Sequence, residues 1–311
     1  TETNNEILIT GKDFEILFSK QTATLDSWTF QGKNILLRGP KPNFWRTPTD
    51  NDFGNDMPKR MAVWKHATDE AQVNDIKVDN YDTSVGIEVF YNFPSVESMG
   101  SILYVIYGDG RILVYNKFEI GKGPLPNIPK VGISMQIPKE FDTMTWFGRG
   151  PHENYLDRKS SAKVDIYSGK VSDQFHPYIR PQESGNKTDV RWATFRNTDG
   201  NGLLVRGLLS LNASHYLQED YDHGLGEIKS GATGNIKTTK QQRHSIDMVE
   251  RDLINLDIDL IQMGLGGEDS WWAQPLGKYQ IKPKNYDYSF TLMPIKSDEN
   301  PVELNKNLFF K

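Results

Sequence analysis

"YVIYGDGRILVYNKFEI" (residues 104–120) sets Asp109-Gly110 between two runs of β-branched and aromatic residues. Gly, Asn and Asp tolerate the positive φ that a tight hairpin turn demands, so the stretch reads as two antiparallel strands and their turn. "ATFRNTDGNGLLVRGL" (193–208) repeats the device around Asp199-Gly200-Asn201-Gly202. Outward from these hairpins, alternation of period two dominates. Phe14, Ile16 and Phe18 alternate with Glu15, Leu17 and Ser19; Ile87, Val89, Tyr91 and Phe93 alternate with Glu88, Phe90 and Asn92. Ile254, Leu256, Ile258 and Leu260 interleave with Asn255, Asp257, Asp259 and Ile261, and Tyr286, Tyr288, Phe290 and Leu292 extend the pattern. Such runs predict strands with one buried face.

Helical periodicity is confined to "MPKRMAVWKHATDEAQ" (57–72), which reads as one short helix or an irregular loop. Many long strands with almost no helix predict a large antiparallel β-sandwich, its loops gathered at the sheet ends. The stretch richest in Pro and Gly, "GKGPLPNIPK" (121–130), is flanked by strand-like runs, so residues 1–311 are expected to form a single domain.

Composition narrows the function classes. A net charge of -5 argues against nucleic acid as a partner, which needs clustered Lys and Arg. No apolar run approaches the ~18 residues of a membrane span, so no membrane partner is expected. The start, "TETNNEILIT", shows neither a basic nor an apolar leader region; lacking an initiator Met, it points to a processed chain or an excised fragment. The absence of cysteine removes disulfides, thiolate metal sites and thiol nucleophiles together, and leaves a cytoplasmic or periplasmic location open.

Several acidic and histidine clusters invite chemistry. Asp257 and Asp259 share a strand face, but their alternation with Leu and Ile reads as a solvated face rather than a catalytic pair. Glu268 and Asp269 stand beside Trp271 in "GGEDSWWAQPLG" (266–277), where turn hydrogen bonds compete with any acid–base role. "TPTDNDFGND" (47–56) suggests a calcium loop through Asp50, Asp52 and Asp56. It fails the EF-hand spacing, because Gly54 falls one place early and position twelve is Met61; a turn held by Asx hydrogen bonds is expected. "HYLQEDYDHG" (215–224) gathers His215, Glu219, Asp220, Asp222 and His223 without a compact metal spacing, and reads as a polar loop. His152 and His176 have no nucleophile nearby in sequence and read as ordinary hydrogen-bonding residues. Trp146, Trp192, Trp271, Trp272, Tyr155 and Tyr178 all fall near polar turns. Flat aromatics beside short polar groups suit a sugar ring, which offers a C–H face to stack and hydroxyls to bind; most of these rings are nevertheless expected to bury themselves at sheet ends.

Four stretches in order carry a resemblance: "NFWRTPTDNDFGND" (43–56), "WFGRGPHENYLDRKSSA" (146–162), "HPYIRPQESGNKTDVRW" (176–192) and "MGLGGEDSWW" (263–272). Together the chain resembles the C-terminal, small-chain region of the glycoside hydrolase family 2 β-galactosidases. The resemblance implies the antiparallel supersandwich shared with galactose mutarotases. It also implies that the catalytic glutamates lie on a separate (β/α)₈ barrel, whose alternating strand–helix pattern is missing here. Family magnesium and sodium ligands lie mainly on other domains, so no cofactor or metal is expected in this chain.

By position, the resemblance makes Trp271 a platform for the sugar. It leaves Trp272 a departure from the family, expected to pack into the sheet end or a domain interface. It gives Glu153 no catalytic role: Arg149, Glu153, Asn154, Tyr155 and Arg158 form a structural turn near the active-site mouth. Arg46, Asp50, Asn51 and Asp52 order the face that docks on the barrel, and Glu268 and Asp269 join the pocket or the docking face. The expected function is that of an accessory domain of a β-galactosidase, inactive by itself. Its partners are the remaining domains, in the same chain or a large subunit, and a β-galactoside substrate, with homo-oligomerisation open. A stand-alone carbohydrate-binding module is the alternative, and an aldose 1-epimerase a more distant one.

Overall fold

The computed structural model describes residues 1–221, 225–228, 236–238, 244–269 and 272–306. The chain opens with β1 (Glu6–Thr10), β2 (Phe14–Ser19), β3 (Thr24–Phe30), β4 (Lys33–Asn34) and β5 (Arg38–Asn43). Three short helices follow, α1 (Asp50–Gly54), α2 (Met57–Arg60) and α3 (Ala62–Asp69). A long run of strands comes next: β6 (Gln72–Asn80), β7 (Ser84–Phe93), β8 (Ser98–Tyr107), β9 (Ile112–Glu119), β10 (Lys130–Ile137), β11 (Thr143–Gly150), β12 (Lys163–Lys170), β13 (Lys187–Arg196) and β14 (Gly202–Ser214). The remainder holds α4 (Gln218–Tyr221), β15 (Leu225–Ile228), β16 (Ile236–Thr238), β17 (Ile254–Gln262), β18 (Tyr286–Ile295) and α5 (Pro301–Lys306).

Every pairing is antiparallel. β1 to β4 form one sheet in sequence order. The large sheet runs β12-β11-β13-β14-β18-β9-β8-β7-β6 and forks at β14. Gly202–Arg206 of β14 pair with β18, whereas Ser210–Ser214 pair with β17, which leads on to β10 and β5. The two expected hairpins are present: Gly110 and Gly200 adopt φ of 85° and 83° at the turns of β8–β9 and β13–β14.

Alternation predicts the buried faces of most strands. Phe14, Ile16 and Phe18 join Ile87, Val89, Ile133, Ile258, Phe290 and Leu292 in one core fed by both sheets. The stretch 57–72 resolves into α2 and α3 with Met61 between them; Pro58 sits in the first turn of α2, and Met57, Met61 and Trp64 are buried.

Candidate functional site

Four segments meet at a cleft of about 350 Å³: the start of α1, the turn 157–158, the loop 178–183 and the loop 265–268. Each is set by local chemistry. Thr49 caps α1, its Oγ1 accepting from Asp52 N at 3.2 Å while Asp52 Oδ2 accepts from Thr49 N at 3.0 Å, a reciprocal box that satisfies two helix-end donors. The expected Asx turn over 47–56 is therefore a capped helix. Asp50, at its first position, accepts from Gln182 Nε2 at 2.8 Å, and its backbone N–H donates to Gln182 Oε1 at 3.0 Å. Asp52 faces inward and is fully buried against Arg46, with Nε–Oδ2 at 3.1 Å and Nη2–Oδ1 at 2.8 Å.

Arg46 uses its remaining donors on the loop that leads to Trp271. They reach the carbonyls of Met263 and Gly264. Asn51 Nδ2 donates to Leu265 O at 3.3 Å, and Asp157 Oδ2 accepts from Gly266 N at 2.8 Å. Past the turn, Asn55 Nδ2 donates to Ala273 O at 3.2 Å. Gly266 and Gly267 take φ of 71° and 98°, a conformation that favours glycine. Glu268 lines the cleft, and Asp269 is exposed beside it. Trp271 lies outside the described residues. Trp272 is 60% exposed with φ of 68°, so it does not pack into the sheet end; it sits on a bend, where strand alternation does not apply.

The turn read at 149–158 is a structural clamp. Glu153 accepts from Arg158 Nη2, from the Tyr178 hydroxyl and, at 2.8 Å, from Gly185 N. Arg158 and Tyr178 line the cleft, so Glu153 stands behind its wall with both oxygens engaged. Asn154 is fully buried, its Oδ1 accepting from Thr188 N at 2.8 Å and Thr188 Oγ1 at 2.6 Å. Trp146, Trp192 and Tyr155 are buried, as most of the aromatics were expected to be.

Asp257 and Asp259 correct the sequence reading. They do not form a solvated face: both are buried, Asp259 completely. Their strand lies between β10 and β14, and the polar residues stand in register across all three. Ser134 and Asn212 flank Asp257; Gly132 and Ser210 flank Asp259. Lys130, also fully buried, places Nζ 2.9 Å from Asp257 Oδ2 and 3.7 Å from Asp259 Oδ2. Burial alone would lower the Lys130 ammonium, but the two aspartates outweigh it and hold its pKa up. The Asp259 carboxyl is raised well above its ordinary range, chiefly by burial; neither oxygen accepts a hydrogen bond among the described residues. A Cβ on Gly132 would lie 1.8 Å from Asp259 Oδ1, so the close approach of β10 to this acid requires glycine.

Glu183 joins this buried row to the cleft, whose wall it forms. Its Oε1 accepts from Asn212 Nδ2 at 3.0 Å and Gln262 Nε2 at 3.3 Å. Burial pushes its carboxyl up to about 7, with Lys130 and Arg46 opposing and Asp257 adding to the rise. Glu183 lies inside the third quoted family stretch, yet nothing local marks it, because its partners come from β14 and β17. Among the described residues, Asp50, Asp157, Glu183 and Glu268 give the cleft an acceptor-rich lining beside the cation of Arg158, with Arg180 paired to Asp50 at 3.3 Å, an arrangement suited to hydroxyl donors. Among the described residues no three His, Asp or Glu side chains converge as metal ligands.

"HYLQEDYDHG" is less a polar loop than an anchor. His215 is buried between Leu253 O, 2.7 Å from Nδ1, and Asp142 Oδ1, 3.3 Å from Nε2. Asp220 is buried against Arg251, at 2.7 Å to both Nε and Nη2. Asp222 and His223 lie outside the described residues. His152 and His176 are exposed, His152 Nε2 lying 3.0 Å from Ser161 Oγ.

Fold and cleft together define a large all-antiparallel β protein whose polar turns converge on an acid-lined recess. Residues 10–292 match the family described as Beta galactosidase small chain, and the chain belongs to that family. The β-galactosidase of Priestia megaterium is 35% identical over 303 residues, covering 94% of this chain and 27% of that protein. That of Streptococcus thermophilus is 30% identical over 296 residues, with the same shares. The chain therefore spans about a quarter of the length of these curated relatives. Among solved structures, an aldose epimerase homologue from C. elegans superposes with a TM-score of 0.49 at 8% identity, covering 95% of this chain and 100% of that one. So loose a superposition carries no further weight.

Proposed function

We propose that the chain is an accessory region of a β-galactosidase, acting as one domain over residues 1–311 and contributing a sugar platform, Trp271, to an active site completed elsewhere. In this reading the catalytic glutamates belong to a separate barrel domain, in the same chain or a large subunit, and so do the ions of the family. A barrel carboxylate attacks the anomeric carbon while a second acts as acid and then base. This chain supplies an apolar surface against the C–H face of a β-galactoside and helps exclude water, lowering the cost of orienting the sugar.

The observation that carries the reading is the double tether around Trp271. Arg46, Asn51 and Asp157 hold the backbone at 263–266, and Asn55 holds it at Ala273. So short a segment, fixed on both sides next to an acceptor-rich cleft, suits a residue that must meet a ligand in a set pose. Glu268 and Asp269, exposed beside it, suit the pocket rim or the docking face. Trp271→Ala in the complete protein is expected to raise KM for a nitrophenyl β-galactoside about tenfold, the worth of one good stacking contact, with an unchanged circular dichroism spectrum. Unchanged kinetics would reject the platform. The isolated chain is expected to hydrolyse no galactoside; cleavage that disappears in Glu153→Gln or Glu268→Gln would reject the accessory role.

A further inference from the structure

A second cleft, of about 490 Å³, opens over β5, β10 and β17, with α3 and α4 at its rim. Its volume lies within the ~300–1,000 Å³ of small-ligand sites. The floor is polar by register: Lys41 stands opposite Ser134, and Arg38 opposite Gln136, which in turn faces Asn255. Ser134 Oγ and Asn255 Oδ1 are 3.0 Å apart, and Asn255 Nδ2 donates to Asp257 Oδ1 at 3.3 Å. The cleft floor is thus continuous with the buried row of Asp257 and Lys130. Ala71 and Val73 add aliphatic surface at the mouth.

Arg38 and Lys41 share one wall, and Lys65 of α3, which has its own interaction, also lines the cleft. Among the described residues neither Arg38 nor Lys41 makes an ion pair with an acid. Burial, and next the charge of Arg38, lower the Lys41 ammonium, an effect that Asp26 only partly offsets. Of the two acids on the cleft, Glu219 is already engaged by Arg251 at 2.8 Å, and Asp69 sits at the end of α3. An anion between Arg38 and Lys41 would relieve their mutual repulsion, and hydroxyl groups would meet the amides and the serine below. We propose that this cleft binds a saccharide bearing a carboxylate or sulfate, with the anionic group between Arg38 and Lys41 and the ring hydroxyls on Ser134, Gln136 and Asn255. The site shares no lining residue with the recess of Asp50, Glu183 and Glu268 and does not depend on the accessory-domain reading.

Ligand-observed NMR titration of the complete protein with galacturonate, galactose and acetate tests it. Galacturonate is expected to bind at millimolar strength, about tenfold tighter than galactose, which lacks the charge, or acetate, which lacks the ring. Arg38→Ala and Lys41→Ala should each erase that preference, Lys41→Arg should keep it, and galactoside hydrolysis should be unchanged in Arg38→Ala. Galacturonate binding no tighter than galactose would overturn the role of the cations. Equal binding of acetate would overturn the saccharide, and no binding, or binding indifferent to both alanine variants, would overturn the site.

Discussion

Glu183 keeps its proton to near neutrality because it is buried and Asp257 lies close by. The sign of the consequence is fixed. Its folded pKa of about 7 exceeds the ordinary value of 4.5, so between those values the folded chain holds a proton that the unfolded chain has lost. Stability therefore falls as pH rises through that window, by about 3 kcal/mol at ~1.4 kcal/mol per pH unit of displacement. Glu183→Gln is expected to flatten this slope and to be more stable than the parent at pH 8, as read from denaturant midpoints across pH. A mutant with the parental slope would place the titration on another group. The same amide substitution at Asp52 is expected to destabilise: Asp52→Asn leaves the guanidinium of Arg46 buried without its counter-ion, and a loss of about 3–5 kcal/mol is expected in thermal unfolding. The same change should loosen the 263–266 segment, which Arg46 also holds.

Among the elements, β8–β9 and β13–β14 were legible because a hairpin is local: a Gly at the turn and period-two runs beside it suffice. β17 was legible as a strand but not in its environment. Alternation of Leu and Ile with Asn and Asp has one meaning for a strand with a wet face and another for a strand forked between β10 and β14. Only the distant Lys130 tells them apart. The same limit hid Glu183, whereas the family resemblance pointed to Asp50 and Glu268, which the structure brings to one cleft, and to Arg46, which is buried behind it. The start of α1 offers a measurable case at this scale. Thr49→Ala removes the cap on Asp52 N and is expected to cost about 1 kcal/mol in denaturant unfolding, the usual worth of such a residue. A loss near zero would mean that the Arg46–Asp52 pair alone fixes the helix start.

Across the whole molecule, the forked large sheet has three ends, β5, β6 and β12, of which β6 and β12 are exposed, and it centres on strands buried on both faces. Asp75, Lys77 and Asp79 on β6, and Lys163 and Asp165 on β12, guard those edges with charge against pairing with another sheet. Hydrogen exchange should divide accordingly: amides of β10 and β17 are expected to exchange only through global opening, and those of β6 and β12 orders of magnitude faster. Uniform protection across the sheet would contradict that gradient. Gly132 constrains the molecule differently. Asp259 occupies the volume in which a methyl group at 132 would sit. A descendant of this chain that keeps the acid must keep the missing side chain, and one that acquires a side chain there must surrender the acid. The two positions are bound to change together, and their joint drift would record whether the interior charge is still in use.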